Sequence, residues 1–156
     1  MRRRTGPYAV AAAALALVVG IARTVLADPS PVPPGAVIVA GDAIAAPLAP
    51  AGDAARGRAL LVARESANCI LCHAIPDPAL RFAGDVGPSL AGIGRRLSVG
   101  ALRLRVVDNS RVNPLSIMPS YYRTDDLDSV APAYRGKTIL SAQEVEDVVA
   151  YLSTLR

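Results

Sequence analysis

The stretch ESANCILCHAIPDP, residues 65–78, contains both cysteines of the chain, Cys69 and Cys72, and its single histidine, His73. Any fold of this chain must therefore gather its soft-ligand chemistry in one short segment. Several readings suit two thiols spaced by two residues. A thioredoxin-like redox pair needs a preceding strand and a βαβ surround, whereas the flanks here read as helix and loop. A structural zinc site needs four ligands, and no further cysteine or histidine exists to complete one. A disulfide between Cys69 and Cys72 would close a very small loop with little entropic gain, and it leaves His73 without a role.

The remaining reading is covalent attachment of a c-type haem, for which C-x-x-C-H is the signature. Two cysteines on one helical turn can each add to a vinyl group of the porphyrin. The next residue, His73, then faces the iron as proximal ligand. Apart from the initiator, the chain has one methionine, Met118, in NPLSIMPSYY. A lone methionine is usually core filler, but this one sits between Pro114 and Pro119 and no second histidine competes. Met118 is therefore the expected distal ligand. Lys137, the only lysine, is the weaker alternative. Histidine–methionine ligation leaves no vacant iron position, which favours electron transfer over substrate chemistry. An iron-bound histidine usually donates its other N–H to a fixed acceptor. The rigid carbonyl of Pro88, in GPSL, is the expected partner of His73 Nδ1–H. The polypeptide alone should then show a cavity among Cys69, Cys72, His73 and Met118.

The charge distribution narrows the compartment and the partners. The formal net charge is +4, with 17 basic and 13 acidic residues. Arg2, Arg3, Arg4 and Arg23 lie in the first 27 residues, which contain no acids; the rest holds 13 of each sign. The basicity thus belongs to the N-terminus, and a nucleic-acid-binding domain is not indicated. MRRR followed by an alanine-rich apolar run and VLA reads as a secretory signal over residues 1–27, cleaved after Ala27. The apolar run is short for a membrane span; an uncleaved anchor is the alternative. Cleavage leaves a periplasmic protein with no stable membrane insertion. Export puts the thiols where free cysteines rarely persist and where c-type haem is attached.

Residues 28–52 contain six prolines and read as an extended arm lying over the domain, because proline excludes helix interiors. Asp53 is an N-cap candidate for a helix over DAARGRALLVARE. Gly57 within it costs about 1 kcal/mol relative to alanine, which points to a closely crossing neighbour. Residues 98–108 place Val99, Leu102, Val106 and Val107 on one helical face. SAQEVEDVVAYLSTLR opens with Ser141 and Glu144, a capping box. Val145, Val148, Val149, Leu152 and Leu155 continue as an apolar stripe. Sustained period-two alternation is missing, so an all-α domain with long loops is expected over residues 53–156. Arg95, Arg96, Arg103, Arg105 and Arg111 form either a partner-docking face or a solvated surface. Asp125, Asp126 and Asp128 form an acidic cluster that reads as solvated turns, with calcium as the alternative.

This order of parts resembles class I cytochrome c: a first helix, C-x-x-C-H, a proximal proline loop, a distal Met-Pro loop and a last helix. The resemblance implies that the first and last helices cross at Gly57, opposite Tyr151 or Leu152. The likeness is strongest to the SoxX family, the mono-haem subunits of SoxAX cytochromes in sulfur-oxidising bacteria. It rests on GDAIAAPL, NCILCHAIP, FAGDVGPSLAGIG, LRLRVVD, NPLSIMPSYYR, GKTIL and EVEDVVAYLSTL, with the doubled Tyr121 and Tyr122 the most telling. What the resemblance implies is an electron-transfer subunit with one covalent haem c and no catalytic centre of its own. Its partner would be a SoxA-type cytochrome. The complex would act as an L-cysteine S-thiosulfotransferase, joining thiosulfate to a cysteine of a SoxYZ carrier and passing electrons to a further acceptor. The alternatives are a free-standing class I cytochrome c shuttle and, in another class, a periplasmic thiol–disulfide protein.

Overall fold

Helix ends in this computed structural model, which describes residues 30–80 and 82–156, follow the capping chemistry of the sequence. The expected leader, residues 1–27, lies outside the described residues. Four α-helices carry the fold: α1 (Ala54–Val62), α2 (Ile93–Arg96), α3 (Val99–Asp108) and α4 (Ala142–Thr154). Short 3-10 turns lie at Pro34–Ala36, Cys69–Leu71, Asn109–Arg111 and Pro132–Tyr134. Among the described residues the only β pairing is an isolated bridge between Ala40 and Ala43. None of their helices is long and apolar enough to cross a membrane.

The Asp53 side chain accepts from Arg56 N at 2.8 Å and starts α1. Ser98 accepts from Ala101 N at 3.1 Å and starts α3. In α4 the capping box closes in both directions: Glu144 N donates to Ser141 Oγ at 3.2 Å, and Ser141 N donates to Glu144 Oε2 at 2.7 Å. Val145, Val148, Val149 and Leu152 of α4 are buried. Leu155 falls at the C-cap, where the helix has ended, and is half-buried.

The α1–α4 pair forms the most extensive helix contact, followed by α3 with α4. Gly57 explains how α1 approaches so closely. A Cβ at Gly57 would lie 1.9 Å from the Asp147 carbonyl oxygen and 3.0 Å from Tyr151 Cβ. The crossing point therefore centres on the Asp147 backbone, with Tyr151 beside it, and not on Leu152. The glycine's helix-propensity cost is offset by backbone-to-backbone packing that any side chain would prevent.

Two features depart from the sequence reading. The proline-rich arm does more than lie over the domain. Ile44 and Leu48 are 1% and 2% exposed and belong to the core. Each contributes roughly 1.5–3 kcal/mol by burial. Val32 N donates to Leu48 O at 2.7 Å, and Ile44 N donates to Gly100 O at 3.0 Å. Proline excludes a helix but does not prevent an extended segment from inserting side chains. The second departure is Arg103, which is neither docking face nor solvated surface. It is buried in a bidentate pair with Glu146, at 2.7 and 2.9 Å. Its Nη1 donates to Ile44 O at 2.7 Å, and Glu146 Oε1 also accepts from Leu48 N at 2.9 Å. One ion pair thus ties the arm to α3 and α4. Arg95, Arg96 and Arg111 are exposed, and Arg105 is half-buried.

Candidate haem-binding site

The attachment segment is built locally. Asn68 adopts a left-handed conformation at φ 46° and leads into the Cys69–Leu71 turn. Asparagine tolerates this region better than most residues. Cys72 N donates to Cys69 O at 3.1 Å, and His73 N donates to the same carbonyl at 2.9 Å. Cys69 and Cys72 therefore sit on one turn, both as free thiols and both half-buried. Burial pushes the Cys69 thiol up to about 11. A buried neutral thiol matches an apolar pocket.

The proximal loop is bound to this segment at three levels. Gly84 N donates to Ile70 O at 2.8 Å, Gly87 N to Cys72 O at 2.7 Å, and Leu90 N to Ala74 O at 2.9 Å. These bonds place the Pro88 carbonyl 2.7 Å from His73 Nδ1. A carbonyl can only accept, so Nδ1 carries a proton, which leaves Nε2 as the ring nitrogen available to a metal. Gly87 lies flat against the imidazole: a Cβ there would sit 2.4 Å from Cε1 and 2.6 Å from Nδ1. Sequence reasoning singled out Pro88 but missed Gly87, whose only signal was its place beside that proline.

The distal loop reaches the same space from the other end of α3. Met118 N donates to Ser116 Oγ at 3.1 Å, and Asn109 Nδ2 donates to that hydroxyl at 2.8 Å. Beyond Pro119 the chain returns to α3 through Tyr121 N to Val106 O, at 3.3 Å, and Tyr122 N to Val107 O, at 3.2 Å. The buried Tyr121 hydroxyl donates to Ala67 O at 2.9 Å, linking the distal loop to the attachment segment. Burial raises the Tyr121 phenol well above its ordinary value, with Cys69 adding to the effect.

Cys69, His73 and Met118 line one cavity, walled by apolar residues including Leu61, Val106 and Leu152. Cys72 stands on the adjoining turn but outside the lining, a difference from the expected four-residue cluster. Lys137 is exposed, donates to Ala133 O at 3.0 Å, and does not line this cavity. The donor set is an imidazole whose Nε2 is not engaged by Pro88, a thioether and adjacent thiols. That set and the apolar walls fit a porphyrin iron. Among the described residues no group of three or more histidines, cysteines or acids is assembled as a metal site.

The family model for cytochrome c matches residues 54–156. A chain in the crystal structure of SoxXA from P. pantotrophus is similar, with a TM-score of 0.74 and 30% sequence identity. The match covers 81% of this chain and 98% of that one. Ferric cytochrome c-550 from Paracoccus versutus is 24% identical, with a TM-score of 0.29, covering 67% of this chain and 98% of that one. No curated protein matches.

Proposed function

The chain belongs to the cytochrome c family, with a covalently bound haem c and a role in electron transfer, and from that premise we propose that it is the mono-haem electron-transfer subunit of a periplasmic SoxAX-type complex. Cys69 and Cys72 would hold the haem through thioether bonds. His73 and Met118 would bind its iron, and Pro88 would orient His73. The observation that carries this ligand set is the convergence of Cys69, His73 and Met118 on one apolar cavity, with His73 Nδ1 committed to Pro88. The haem supplies a one-electron iron couple. The chain's own residues keep that couple confined to electron transfer. Hydrogen bonding to Pro88 keeps Nε2 directed as a ligand and raises imidazole basicity. Apolar walls exclude water and favour the less charged, reduced state of the centre.

The partner is a SoxA-type cytochrome, and the reaction served is thiosulfate conjugation to a SoxYZ carrier. In that step a carrier thiol and thiosulfate form an S–S bond, releasing one proton and two electrons. This chain accepts electrons singly and passes them to a downstream acceptor. With Cys69 and Cys72 used as thioethers, no thiol remains on it for sulfur chemistry. Similarity over nearly the whole of the SoxXA chain supports this placement.

The deciding experiment starts with the visible spectrum of the exported protein after acid–acetone extraction. Colour that stays with the polypeptide and a weak far-red ferric band are expected. Met118→Ala should abolish that band and leave the colour covalently bound. A colourless protein with titratable thiols would indicate the thiol–disulfide alternative. Co-purification with a second cytochrome is expected from the native source. A strictly monomeric native protein would instead identify a free-standing shuttle.

A further inference from the structure

Asp108 closes α3 and is almost wholly buried, with its side chain 4% exposed. Every group bonded to it is a donor, although Asp125 lines the adjoining crevice. Oδ1 accepts from Ser110 N at 3.2 Å, from Ser110 Oγ, and from Ser120 Oγ at 2.7 Å. Oδ2 accepts from Arg123 Nη1 at 2.7 Å, and the exposed Arg111 guanidinium lies 3.6 Å away. A carboxylate offers about four acceptor positions and no donor, so this environment suits aspartate and no neutral isostere. Burial alone would push the Asp108 carboxyl up; the bonds from Ser110, Ser120 and Arg123 more than offset it and hold it below the usual carboxylate range.

The placement of these donors matters more than their number. Ser110 lies where the chain leaves α3 toward the methionine, and Ser120 lies two residues after Met118, where the chain returns. One carboxylate thus grips both ends of the excursion that presents Met118. The arm roofs the same spot: Val37 and Val39 line a crevice with Asp108, Tyr122 and Arg123. Tyr122 Oη donates to Val32 O at 2.6 Å. Within the excursion, Met118 has one backbone hydrogen bond, to Ser116 Oγ. Its hold therefore depends on Ser116, which Asn109 braces, and on how tightly the ends are closed.

We propose that Asp108 is the positioning residue of the distal ligand: its carboxylate fastens the exit and return of the 109–120 loop to the end of α3, and so sets how firmly Met118 keeps its axial position. The inference rests on Met118 being that ligand. Loosening the ends raises the conformational entropy of the loop and lets an external ligand displace the thioether.

The test uses the ferric holoprotein, with imidazole as the competing ligand and the far-red band as readout. Asp108→Asn turns an amide donor toward existing donors. It should bind imidazole roughly tenfold more tightly than the parent. It should also lose the far-red band at a lower temperature than it loses helical circular dichroism. Ser120→Ala should move both readouts in the same direction by less, and Ser120→Thr should restore them. Glu146→Gln, which breaks the buried pair elsewhere, lowers global stability and supplies the structural control. Its imidazole affinity should stay within about twofold of the parent. If Asp108→Asn yields no holoprotein, Ser120→Ala against Ser120→Thr decides the matter. Equal imidazole affinities in the Asp108 or Ser120 variants and the Glu146 control would overturn the proposal. A parent protein with no far-red band, or a band unchanged in Met118→Ala, would overturn the ligand assignment, and this inference with it.

Discussion

The proximal and distal halves of the site are built on opposite plans. On the proximal side, Cys69, Cys72 and His73 share one turn and are fastened by bonds within a few residues, with the 82–90 loop zipped alongside. On the distal side a single side chain, Met118, arrives in a loop held from α3, from the attachment segment through Tyr121, and from the arm through Tyr122. The proximal half is local and carries the thiols. The distal half is long-range and depends on buried polar contacts. On the proposed ligand set, losing the methionine would leave the cofactor attached, whereas losing the thiols would not.

The largest effect should come from the proximal side. Replacing both Cys69 and Cys72 by serine removes the covalent link, and acid–acetone extraction should then strip all colour from the polypeptide. Loss of colour from a distal variant such as Met118→Ala would break the distinction between the halves.

Glu146→Gln should strike both halves alike. Removing one partner of a buried pair costs about 3–5 kcal/mol, because the Arg103 guanidinium is left without its counter-charge. Chemical denaturation followed by helical and by haem signals should show one shared loss of stability. A variant that melts the distal loop first would place the arm clamp in the distal half.

Acid should have an intermediate effect. Asp108 and Asp147 are both held below the ordinary 3.8: burial alone would raise each, and hydrogen bonds from Ser110, Ser120 and Arg123, or from Arg56 and Asp53 N, outweigh it. A depressed folded pKa means that the unfolded chain takes up protons first as pH falls. Their stabilisation is complete above about pH 5 and is lost as pH drops through 3.8 toward the folded values. Stability measured between pH 6 and 3 should fall accordingly, and less steeply in Asp108→Asn.

The smallest effect tests the orientation of the imidazole. Gly87→Ala places a methyl group where the His73 ring stands, so the ring must shift and the Pro88 bond weakens. That bond is worth about 1 kcal/mol. A less basic imidazole supports ferric iron less well, and spectroelectrochemical titration should show a raised reduction potential. An unchanged potential would mean that the proximal loop moves with the ring.

Much of the molecule was legible beforehand because the relevant signals are local. Capping residues at Asp53 and Ser141 satisfy orphan amides within three residues, so those two helix starts could be read directly. C-x-x-C-H is confined to five residues, and its chemistry does not depend on what lies far along the chain. Gly57 announced a close crossing by being costly in a helix. What stood opposite it, the Asp147 carbonyl, depends on how α4 rotates as its apolar stripe packs.

Other features were decided only by the tertiary structure. Arg103 and Glu146 look like surface charges in sequence, and a buried pair forms only because the arm adds Ile44 O and Leu48 N to complete its bonds. The arm's prolines ruled out a helix, yet only its bonds to Gly100 of α3 and Glu146 of α4 determined that Ile44 and Leu48 would be core. Asp108 read as the last residue of a helix. Its role emerged from donors brought together by a loop that leaves and returns. Short-range chemistry is written residue by residue, whereas a buried charge acquires its meaning from partners that only packing can supply.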